Sequence, residues 1–358
     1  MGNPRASVIV PCWNVARWVE NAVESVRRGT FADFELIAVD DGSTDETGAI
    51  LDRLAKGDDR IRVVHQANRG LSGARNSGLD VARGEYVFFL DPDDSFTPEF
   101  VANGVEEMER SGADVCIFPW YVKGEDEAEP KLDSLKGDYH FNDAESIRRN
   151  YLPRIIGYSM ANVRDWLKGR PLWSDRELGS VCRCVYRRTV IARHRLRFDE
   201  RIVLYEDAPF NWEYLLHANR MSCGSAPAYN YVLHAGGIVS NKNRATRVFR
   251  NKLTLLRKRQ EVNRLAGGTL GEMYAASCVF SLLEMLALLR TVRIGYAEGR
   301  AIMREYAADD EVKAALRAFP LSWRKPHVAL AVTALRIFGA SALYTLAWMA
   351  FRPFKKGL

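Results

Sequence analysis

The first hundred residues alternate between short apolar runs and longer stretches in which apolar residues recur at helical spacing. The short runs are typical of buried strands, because they are rich in β-branched and aromatic residues and only six to eight residues long. They are ASVIVPCW (6–13), FELIAVDD (34–41), RIRVVHQ (60–66) and EYVFFL (85–90). A regular strand–helix alternation predicts an α/β fold with a mostly parallel sheet and helices on both faces.

Helix signals fill the intervals between these strands. The first predicted helix has the spacing of a helix packed against a core, and its inward face consists of Trp18, Val19, Ala22 and Val26. The second starts with Ser43 and Glu46, three residues apart, which predicts a capping box.

The pattern divides the chain into parts. It weakens after residue 118, recovers strand character near residue 181, and becomes almost wholly helical after residue 242. We therefore predict a mixed domain over 1–242, with a regular half (1–118) and a less regular half (119–242). A helical carboxyl-terminal region (243–358) follows.

Charge separates the same two regions. The net charge is +6, but residues 241–358 carry 21 Lys and Arg against 8 Asp and Glu, whereas the first 240 residues carry 30 against 37. A basic region can meet anionic lipid, an acidic polymer or nucleic acid. No recognisable nucleic-acid-binding motif accompanies this charge, so we expect no nucleic-acid partner.

Carboxylates cluster where two predicted strands end. Asp40 and Asp41 follow the second strand, and Asp91, Asp93 and Asp94 follow the fourth. Ligands of parallel sheets bind at the carboxyl ends of the strands. Carboxylates this close disfavour each other's ionisation, so either a positive partner is expected or the segment is a solvated turn that caps the next helix.

Six cysteines are scattered along the chain, mostly in apolar surroundings. The pair in CRC (182–184) is a candidate metal or redox site, although residues two apart on a strand simply share a face. No secretory signal precedes the first strand, so we expect reduced thiols in a cytoplasmic compartment.

Five motifs in order add a specific signal. They are SVIVPCWN (7–14), VDDGSTD (39–45), GLSGARNSG (70–78), GEYVFFLDPDD (84–94) and YEDAPF (205–210). Together they resemble glycosyltransferase family 2, of the GT-A fold, over about residues 5 to 240. The resemblance implies a Rossmann-like GT-A domain with a nucleotide half (1–118) and an acceptor half (119–242). It also implies an inverting enzyme of the bacterial cell-envelope type.

The resemblance assigns a divalent cation, Mn²⁺ or Mg²⁺, to the second acidic cluster. Asp91 and Asp93 would hold the cation and contact the donor, since hard oxygen ligands suit these ions, with Asp94 behind them. In some relatives a histidine after the ED helix completes the metal site, and His234 is the candidate here. A structural histidine is the alternative.

The resemblance also implies a nucleotide-sugar site. Trp13 would stack on the base, and the Asp40–Asp41 pair would accept the imide N–H of uracil, which favours a UDP-sugar donor. The alternatives are a core tryptophan and a chain-turning helix cap. Arg75 would meet the nucleotide unless it is a surface residue. The implied set is Pro11, Trp13, Asn14, Asp40, Asp41, Arg75, Asp91 and Asp93.

The resemblance also implies that the ED pair is catalytic. Asp207 is the expected general base, which takes the proton of an acceptor hydroxyl, and Glu206 is expected to support acceptor binding. One base and no covalent intermediate imply a single displacement with inversion at the anomeric carbon. The alternative is an acidic pair favoured by the dipole of the following helix.

A long apolar segment lies near the carboxyl terminus. Residues 327–350 contain one charge, Arg336, and basic residues flank the segment on both sides. The length suffices to cross a bilayer, but a central arginine costs about 2.5–3.5 kcal/mol on insertion scales. An interfacial helix or broken helix, with Arg336 reaching the headgroups, fits better. A core helix is the alternative.

The resemblance thus implies an inverting, metal-dependent hexosyltransferase that acts on a glycan or lipid-linked glycan in cell-envelope polysaccharide synthesis. It would lie on the inner face of the cytoplasmic membrane, with peripheral contact through 321–358. One alternative is a sugar-1-phosphate nucleotidyltransferase, although PCWNVARWVE lacks a Gly-rich triphosphate loop. A silent carbohydrate-binding or scaffold protein is another. A dinucleotide-dependent dehydrogenase is excluded, because no G-x-G-x-x-G follows the first strand.

Overall fold

The computed structural model describes residues 2–124, 127, 129–172, 177, 179–234, 244–289 and 294–351. The chain forms two compact units, one of Met1–Leu152 with Glu177–Gly237 and the other of Pro153–Arg176 with Ile238–Leu358. The first unit contains both sheets, and the second is helical. The helical unit thus also includes 153–176, and the predicted boundary at 242 lies outside the described residues.

Eleven strands are present in the described part of the chain. The four predicted in the first hundred residues are confirmed as the first four strands. The strands are β1 (Ala6–Cys12), β2 (Phe34–Asp40), β3 (Ile61–His65), β4 (Tyr86–Phe89), β5 (Ser95–Phe96), β6 (Val115–Ile117), β7 (Trp120–Gly124), β8 (Lys131–Asp133), β9 (Cys184–Arg187), β10 (Met221–Cys223) and β11 (Tyr229–Leu233).

Seven strands form the main sheet in the order β10-β6-β9-β4-β1-β2-β3. Only β9 runs antiparallel to its neighbours, so the predicted mostly parallel sheet is confirmed. Strands β1, β2 and β4 are buried throughout, which explains why they appear in the sequence as continuous apolar runs. Their carboxyl ends meet at one edge, where both acidic clusters lie.

The helices have the following bounds, with a π-helical turn at Ile147–Tyr151. They are α1 (Val19–Arg27), α2 (Thr47–Lys56), α3 (Gly70–Val81), α4 (Phe100–Ser111), α5 (Ala144–Ser146), α6 (Leu152–Ile156), α7 (Met160–Leu167), α8 (Arg188–His194), α9 (Asp207–His217), α10 (Arg244–Leu265), α11 (Gly271–Leu288), α12 (Tyr296–Ala308), α13 (Asp310–Ala318) and α14 (Pro326–Phe351).

The first two helices test the predicted local signals. Helix α1 buries Val19, Ala22 and Val26 of the predicted face, whereas Trp18 precedes the helix and is half-buried. The predicted capping box is wrong, because α2 begins only at Thr47, whose amide donates to Asp45 Oδ1 at 3.0 Å. The hydroxyl proposed as the cap instead accepts a hydrogen bond from the loop after β1.

Helix α3 approaches the main sheet closely. At Gly78 a Cβ atom would lie 2.4 Å from Cγ2 of Ile9 in β1, so only glycine allows this distance. Arg75 lies one turn earlier on the same helix and is buried. The close approach therefore brings a guanidinium group to the carboxyl ends of the central strands.

A smaller sheet lies beside the second acidic cluster, with the order β5-β11-β7-β8. In it β11 pairs antiparallel with β5, which directly follows Asp94, and parallel with β7. This pairing places Tyr229, the first residue of β11, close to the cluster even though more than 130 residues separate them in the chain.

The second unit is helical, as predicted for the carboxyl-terminal region. Two of its described helices, Gly271–Leu288 and Pro326–Met349, are long and apolar enough to cross a membrane. In α11, 44% of the apolar stretch is buried, and in α14 only 28% is buried. Helix α14 therefore leaves more of its apolar surface exposed than α11 does. Helix α14 is interrupted at Gly339, where φ is +74°, as a broken helix requires.

The predicted role of Arg336 needs correction. Its guanidinium donates to the main-chain oxygens of Leu316, Arg317 and Phe319, where α13 ends. A helix end leaves carbonyl groups without helical partners, and a cation there also complements the helix dipole. Arg336 therefore caps a neighbouring helix instead of reaching toward headgroups. The basic residues beyond position 351 lie outside the described residues.

Candidate active site

The loops after β1 and β2 are tied together at the edge of the sheet. Asn14 adopts a left-handed backbone (φ +53°), and its Oδ1 accepts from the amide of Thr44 at 2.8 Å. Pro11 is buried within β1. Trp13 is 55% exposed, so it is not a core residue and its ring face is available to a ligand.

Asp40 takes part in a clamp that the sequence did not indicate. Its Oδ1 accepts from the amide of Ser43 at 3.1 Å, and its Oδ2 lies 2.9 Å from Nδ1 of His65. The other ring nitrogen of His65 lies 3.0 Å from Oδ1 of Asp52. Hydrogen bonds to Asp40 and then Asp52 raise the pKa of His65 above its ordinary value.

Asp41 organises the start of α3. Its Oδ1 accepts from Nε2 of Gln66 and from the amide of Arg69, and its Oδ2 accepts from the amide of Gly70 at 2.7 Å. Asp40 and Asp41 therefore do turn the chain and cap a helix, as the alternative interpretation expected. Oδ1 of Asp41 already accepts two hydrogen bonds, but Oδ2 of Asp41 and both oxygens of Asp40 each keep a further lone pair, so a contact with the base stays a prediction.

Arg75 brings the two acidic motifs together. Its Nη1 donates to Oε1 of Glu206 at 2.8 Å and to Oδ1 of Asp207 at 2.6 Å. Its Nη2 donates to Oδ1 of Asp91 at 2.8 Å. The guanidinium is only 1% exposed and packs over the ring of Phe198. This residue is neither a surface arginine nor open to the nucleotide, so the sequence-based expectation of direct contact needs correction.

Burial and charge set the protonation of this group. Burial opposes the charge of Arg75, but Asp207, Asp91 and Glu206 outweigh it and raise the pKa of the guanidinium. Burial and the charge of Asp207 raise the pKa of Glu206 to about 7. Burial also raises the pKa of Asp207. The positive charge of Arg75 opposes this increase, and the negative charge of Asp91 adds to it. One cation thus faces three carboxylates, and burial drives two of them, Glu206 and Asp207, toward protonation.

Asp207 is held from both sides. It is the first residue of α9, and while Oδ1 accepts from Arg75, Oδ2 accepts from the amide of Val181 at 3.1 Å. Tyr205, two residues earlier, has φ +67°, which is uncommon for a residue other than glycine. This strained turn directs the ED pair into the same cluster as Asp91.

The acidic run after β4 splits into distinct roles. Asp94 is buried, and its carboxylate accepts from the hydroxyl of Tyr229 at 2.7 Å and from the amide of Val232 at 2.7 Å. The Tyr229 hydroxyl also accepts from the amide of Asp91 at 3.1 Å. Asp94 therefore fixes β11 behind the site, and Asp91 and Asp93 remain for a ligand.

Comparison with known proteins accounts for this arrangement. The family model described as Glycosyl transferase family 2 matches residues 7–167. The uncharacterized glycosyltransferase EpsJ of Bacillus subtilis (strain 168) is 34% identical over 231 residues, which cover 64% of this chain and 61% of EpsJ. Residues 7–167 of this chain therefore match glycosyltransferase family 2.

Further similarities agree with that assignment. The succinoglycan biosynthesis protein ExoO of Rhizobium meliloti (strain 1021) is 26% identical, over 64% of this chain and 61% of ExoO. The chain thus spans about three fifths of the length of these relatives. The crystal structure of S. aureus TarS 1–349 in complex with UDP-GlcNAc superimposes with a TM-score of 0.55 at 18% identity, over 94% of this chain and 92% of that one. The GT-A fold is confirmed.

The family implies a divalent cation, and the donor set fits one. Asp91 and Asp93 offer hard carboxylate oxygens at the edge of the sheet. Burial, and then the charge of Asp91, raise the pKa of Asp93, so a cation held by the two carboxylates would favour their ionised forms. Nε2 of His234 lies 3.2 Å from the main-chain oxygen of Asp93, and its ring packs against Trp18. His234 thus contacts this segment through the backbone.

Sequence reasoning missed two residues of this family 2 site. Tyr229 and His65 both hold a predicted site carboxylate in place. Tyr229 belongs to an aromatic strand whose alternation predicts burial but gives no sign of a hydroxyl contact. His65 ends β3 directly beside the end of β2, so the strand-end argument applied to the aspartates would also have found it.

Proposed function

We propose that this chain is an inverting glycosyltransferase that moves a sugar from a nucleotide-sugar donor to a glycan or lipid-linked glycan acceptor. The observation that carries the proposal is the set of contacts around Arg75. One buried guanidinium binds Asp91 of the donor-side motif and both carboxylates of the ED pair. A protein that only bound carbohydrate would not need this costly buried arrangement of charges.

Asp207 is the base of the proposed reaction. Its carboxylate takes the proton of the acceptor hydroxyl while that oxygen bonds to the anomeric carbon of the donor. The bond from this carbon to the diphosphate oxygen breaks, and the electron pair leaves with the nucleoside diphosphate. Attack and departure occur on opposite faces, so the configuration inverts. The raised pKa of Asp207 makes it a stronger base than an ordinary carboxylate.

The donor site lies on the other side of Arg75. A divalent cation held by Asp91 and Asp93 would neutralise the charge that develops on the leaving diphosphate. Exposed Trp13 would stack on the base, and the Asp40–Asp41 turn would supply the acceptor for its imide. A uridine donor is supported by S. aureus TarS, a protein of the same fold that is in complex with UDP-GlcNAc.

The acceptor is proposed as part of a cell-envelope polysaccharide or its lipid-linked precursor. The similarity to the succinoglycan biosynthesis protein ExoO supports this class. A lipid-linked acceptor would bring the enzyme to the inner face of the cytoplasmic membrane. Residues 321–358 are the proposed contact, because exposed apolar side chains of α14 accompany an excess of basic residues there.

The test is release of UDP from a panel of UDP-sugars by the purified chain with Mn²⁺, Mg²⁺ or chelator. We expect one preferred sugar, dependence on the metal, and loss of turnover in Asp93→Ala and Asp207→Asn. Asp59→Asn is the matched control, because Asp59 is exposed and outside the site.

Calorimetric titration with UDP and Mn²⁺ covers the case of an enzyme that waits for its acceptor. If Asp93→Ala abolishes UDP binding and Asp207→Asn retains it, the result supports a donor-binding role for Asp93 and a role as base for Asp207. Absence of both turnover and UDP binding in the folded wild type would overturn the uridine assignment of Trp13, Asp40 and Asp41.

A further inference from the structure

A second cluster of ligand atoms lies in the α/β unit, at the edge of the main sheet. Strand β10 is the edge strand, and its last residue, Cys223, faces the segment that precedes the bridge between Phe141 and Met221. Sγ of Cys223 lies 3.5 Å from Nε2 of His140 and 3.5 Å from Oδ1 of Asp138. Nε2 of His140 and Oδ1 of Asp138 are 3.1 Å apart.

These three separations match the edges of a tetrahedron around zinc. With usual bond lengths, tetrahedral Zn²⁺ places a sulfur about 3.6 Å from a nitrogen or oxygen ligand, and the nitrogen about 3.4 Å from the oxygen. The cluster reproduces all three distances to within a few tenths of an ångström. Only small movements would be needed for the three atoms to surround one ion.

The histidine is oriented as a metal ligand would be. Its Nδ1 lies 3.0 Å from Oγ of Ser222, and this hydroxyl also contacts a carboxylate oxygen of Glu107. Such a chain fixes the ring and directs Nε2 toward Cys223. Metal-bound histidines usually hold their second ring nitrogen in this way. The amide of Tyr139 also points to Sγ of Cys223, at 3.5 Å.

The donor types select the metal. Thiolate and imidazole ligands favour Zn²⁺ over Mg²⁺ or Mn²⁺, which prefer the carboxylates of the Asp91–Asp93 site. Asp138 and His140 are exposed and Cys223 is half-buried, so an ion has access from solvent. Three protein ligands leave a fourth position for water.

We propose that Asp138, His140 and Cys223 bind Zn²⁺, which fastens the segment before residue 141 to the edge of the main sheet. The two parts are more than 80 residues apart in the chain, and a short edge strand offers few contacts of its own. The ion would replace weak contacts at this edge with metal–ligand bonds. The site is separate from the proposed donor site and independent of the proposed function.

The test uses the untagged full chain, stripped with chelator and then titrated with Zn²⁺ against a chromophoric competitor. We expect the wild type to bind one Zn²⁺ ion per chain tightly. Cys223→Ser and His140→Gln should each weaken it by at least about 100-fold, and Ser222→Ala by about 10–100-fold through the second ring nitrogen. His327→Gln, in an exposed position, and Cys278→Ala, in the helical unit, are the matched controls and should bind as the wild type does.

Cobalt provides the second measurement. Co²⁺ in place of Zn²⁺ should give an intense near-ultraviolet thiolate charge-transfer band and tetrahedral visible bands, both absent in Cys223→Ser. Circular dichroism verifies that each variant is folded. Zinc binding of equal strength in the wild type, Cys223→Ser and His140→Gln, or a cobalt complex without a thiolate band, would overturn the proposal. UDP release with Mn²⁺ is a separate readout, so failure of one proposal leaves the other intact.

Discussion

At the scale of single residues, Arg75 decides the character of the site. A guanidinium presents several N–H donors in a fixed plane, so it can bind three carboxylates at once. Asp91, Glu206 and Asp207 would otherwise repel one another, and burial already raises the pKa of Glu206 and of Asp207. Because Arg75 contacts both Asp207, the proposed base, and Asp91 of the proposed donor site, it also fixes their relative position. It is therefore a positioning residue.

This role predicts the outcome of Arg75→Lys. An ammonium keeps the charge but cannot contact all three carboxylates in the same geometry, so kcat/KM should fall by about 10²-fold. Because the lysine would offset the negative charge around Asp207 less well, the acid limb of the pH–activity profile should also move to higher pH. UDP release as a function of pH measures both effects, with Arg28→Lys on the surface as the control. A folded variant with normal activity and an unmoved acid limb would contradict the role.

Asp207 makes its own prediction about pH. The base must be ionised to accept a proton, so activity falls as the pH drops through its pKa. Burial raises that pKa, and we therefore expect the acid limb above the ordinary aspartate value of 3.8. Asp207→Asn, of nearly equal shape, should lose about 10²–10⁴-fold in kcat and with it this limb. An acid limb that persists unchanged in the asparagine variant would show that another group is the base.

At the scale of elements, short contacts between strand ends hold the site's loops. His65, at the end of β3, lies between Asp40 at the end of β2 and Asp52 in α2. The protonated ring would bind both carboxylates, and its pKa is raised for this reason. The stability from this clamp is fully present below pH 6.5 and is lost as the pH rises through the folded-state pKa.

The clamp is tested by comparing urea midpoints of the wild type and His65→Gln at pH 6 and pH 9. The difference should be larger at pH 6. Its size should stay below about 1 kcal/mol, because the His65 side chain is 49% exposed and water screens the pair. His327→Gln should show no such change. A difference that grows toward pH 9 would exclude the clamp.

The elements also show how far sequence reasoning extends. Short apolar runs predicted β1 to β4, and their ends located Asp40, Asp41, Asp91 and Asp93, because strand formation and burial leave local patterns in the sequence. The capping box failed because the chain after β2 bonds to the loop after β1. Contacts of Arg75 with the ED pair join residues more than 130 positions apart, and no periodicity encodes them.

At the scale of the whole molecule, the helical unit combines basic charge with exposed apolar side chains. Leu330, Ile337, Phe338 and Met349 of α14 are each at least 60% exposed, and Trp323 just before it is 78% exposed. Ile337 and Phe338 directly precede the interruption at Gly339. Apolar side chains beside basic residues are typical of surfaces that bind anionic membranes.

Removal of residues 321–358 is a poor test of this membrane contact. Val332, Leu335 and Tyr344 of α14 are buried in the helical unit, and Arg336 caps α13. The truncated chain would lose part of its core, so its behaviour would report on folding as much as on membrane binding. Substitutions confined to exposed side chains avoid this difficulty.

The double variant Ile337→Ser/Phe338→Ser removes apolar surface without touching that core. If these side chains enter the interface, its affinity for vesicles containing anionic lipid should fall by about 10-fold or more, since a fully buried side chain of this size contributes about 1.5–3 kcal/mol. Leu132→Ser/Val203→Ser, which removes exposed apolar side chains of the α/β unit, should bind as the wild type does. Vesicle sedimentation at low and high salt separates the apolar contribution to binding from the electrostatic one, because salt weakens only the attraction of the basic residues to anionic lipid. Equal binding by wild type and both folded variants would place the membrane contact elsewhere, and a lipid-linked acceptor would then reach Asp207 without α14.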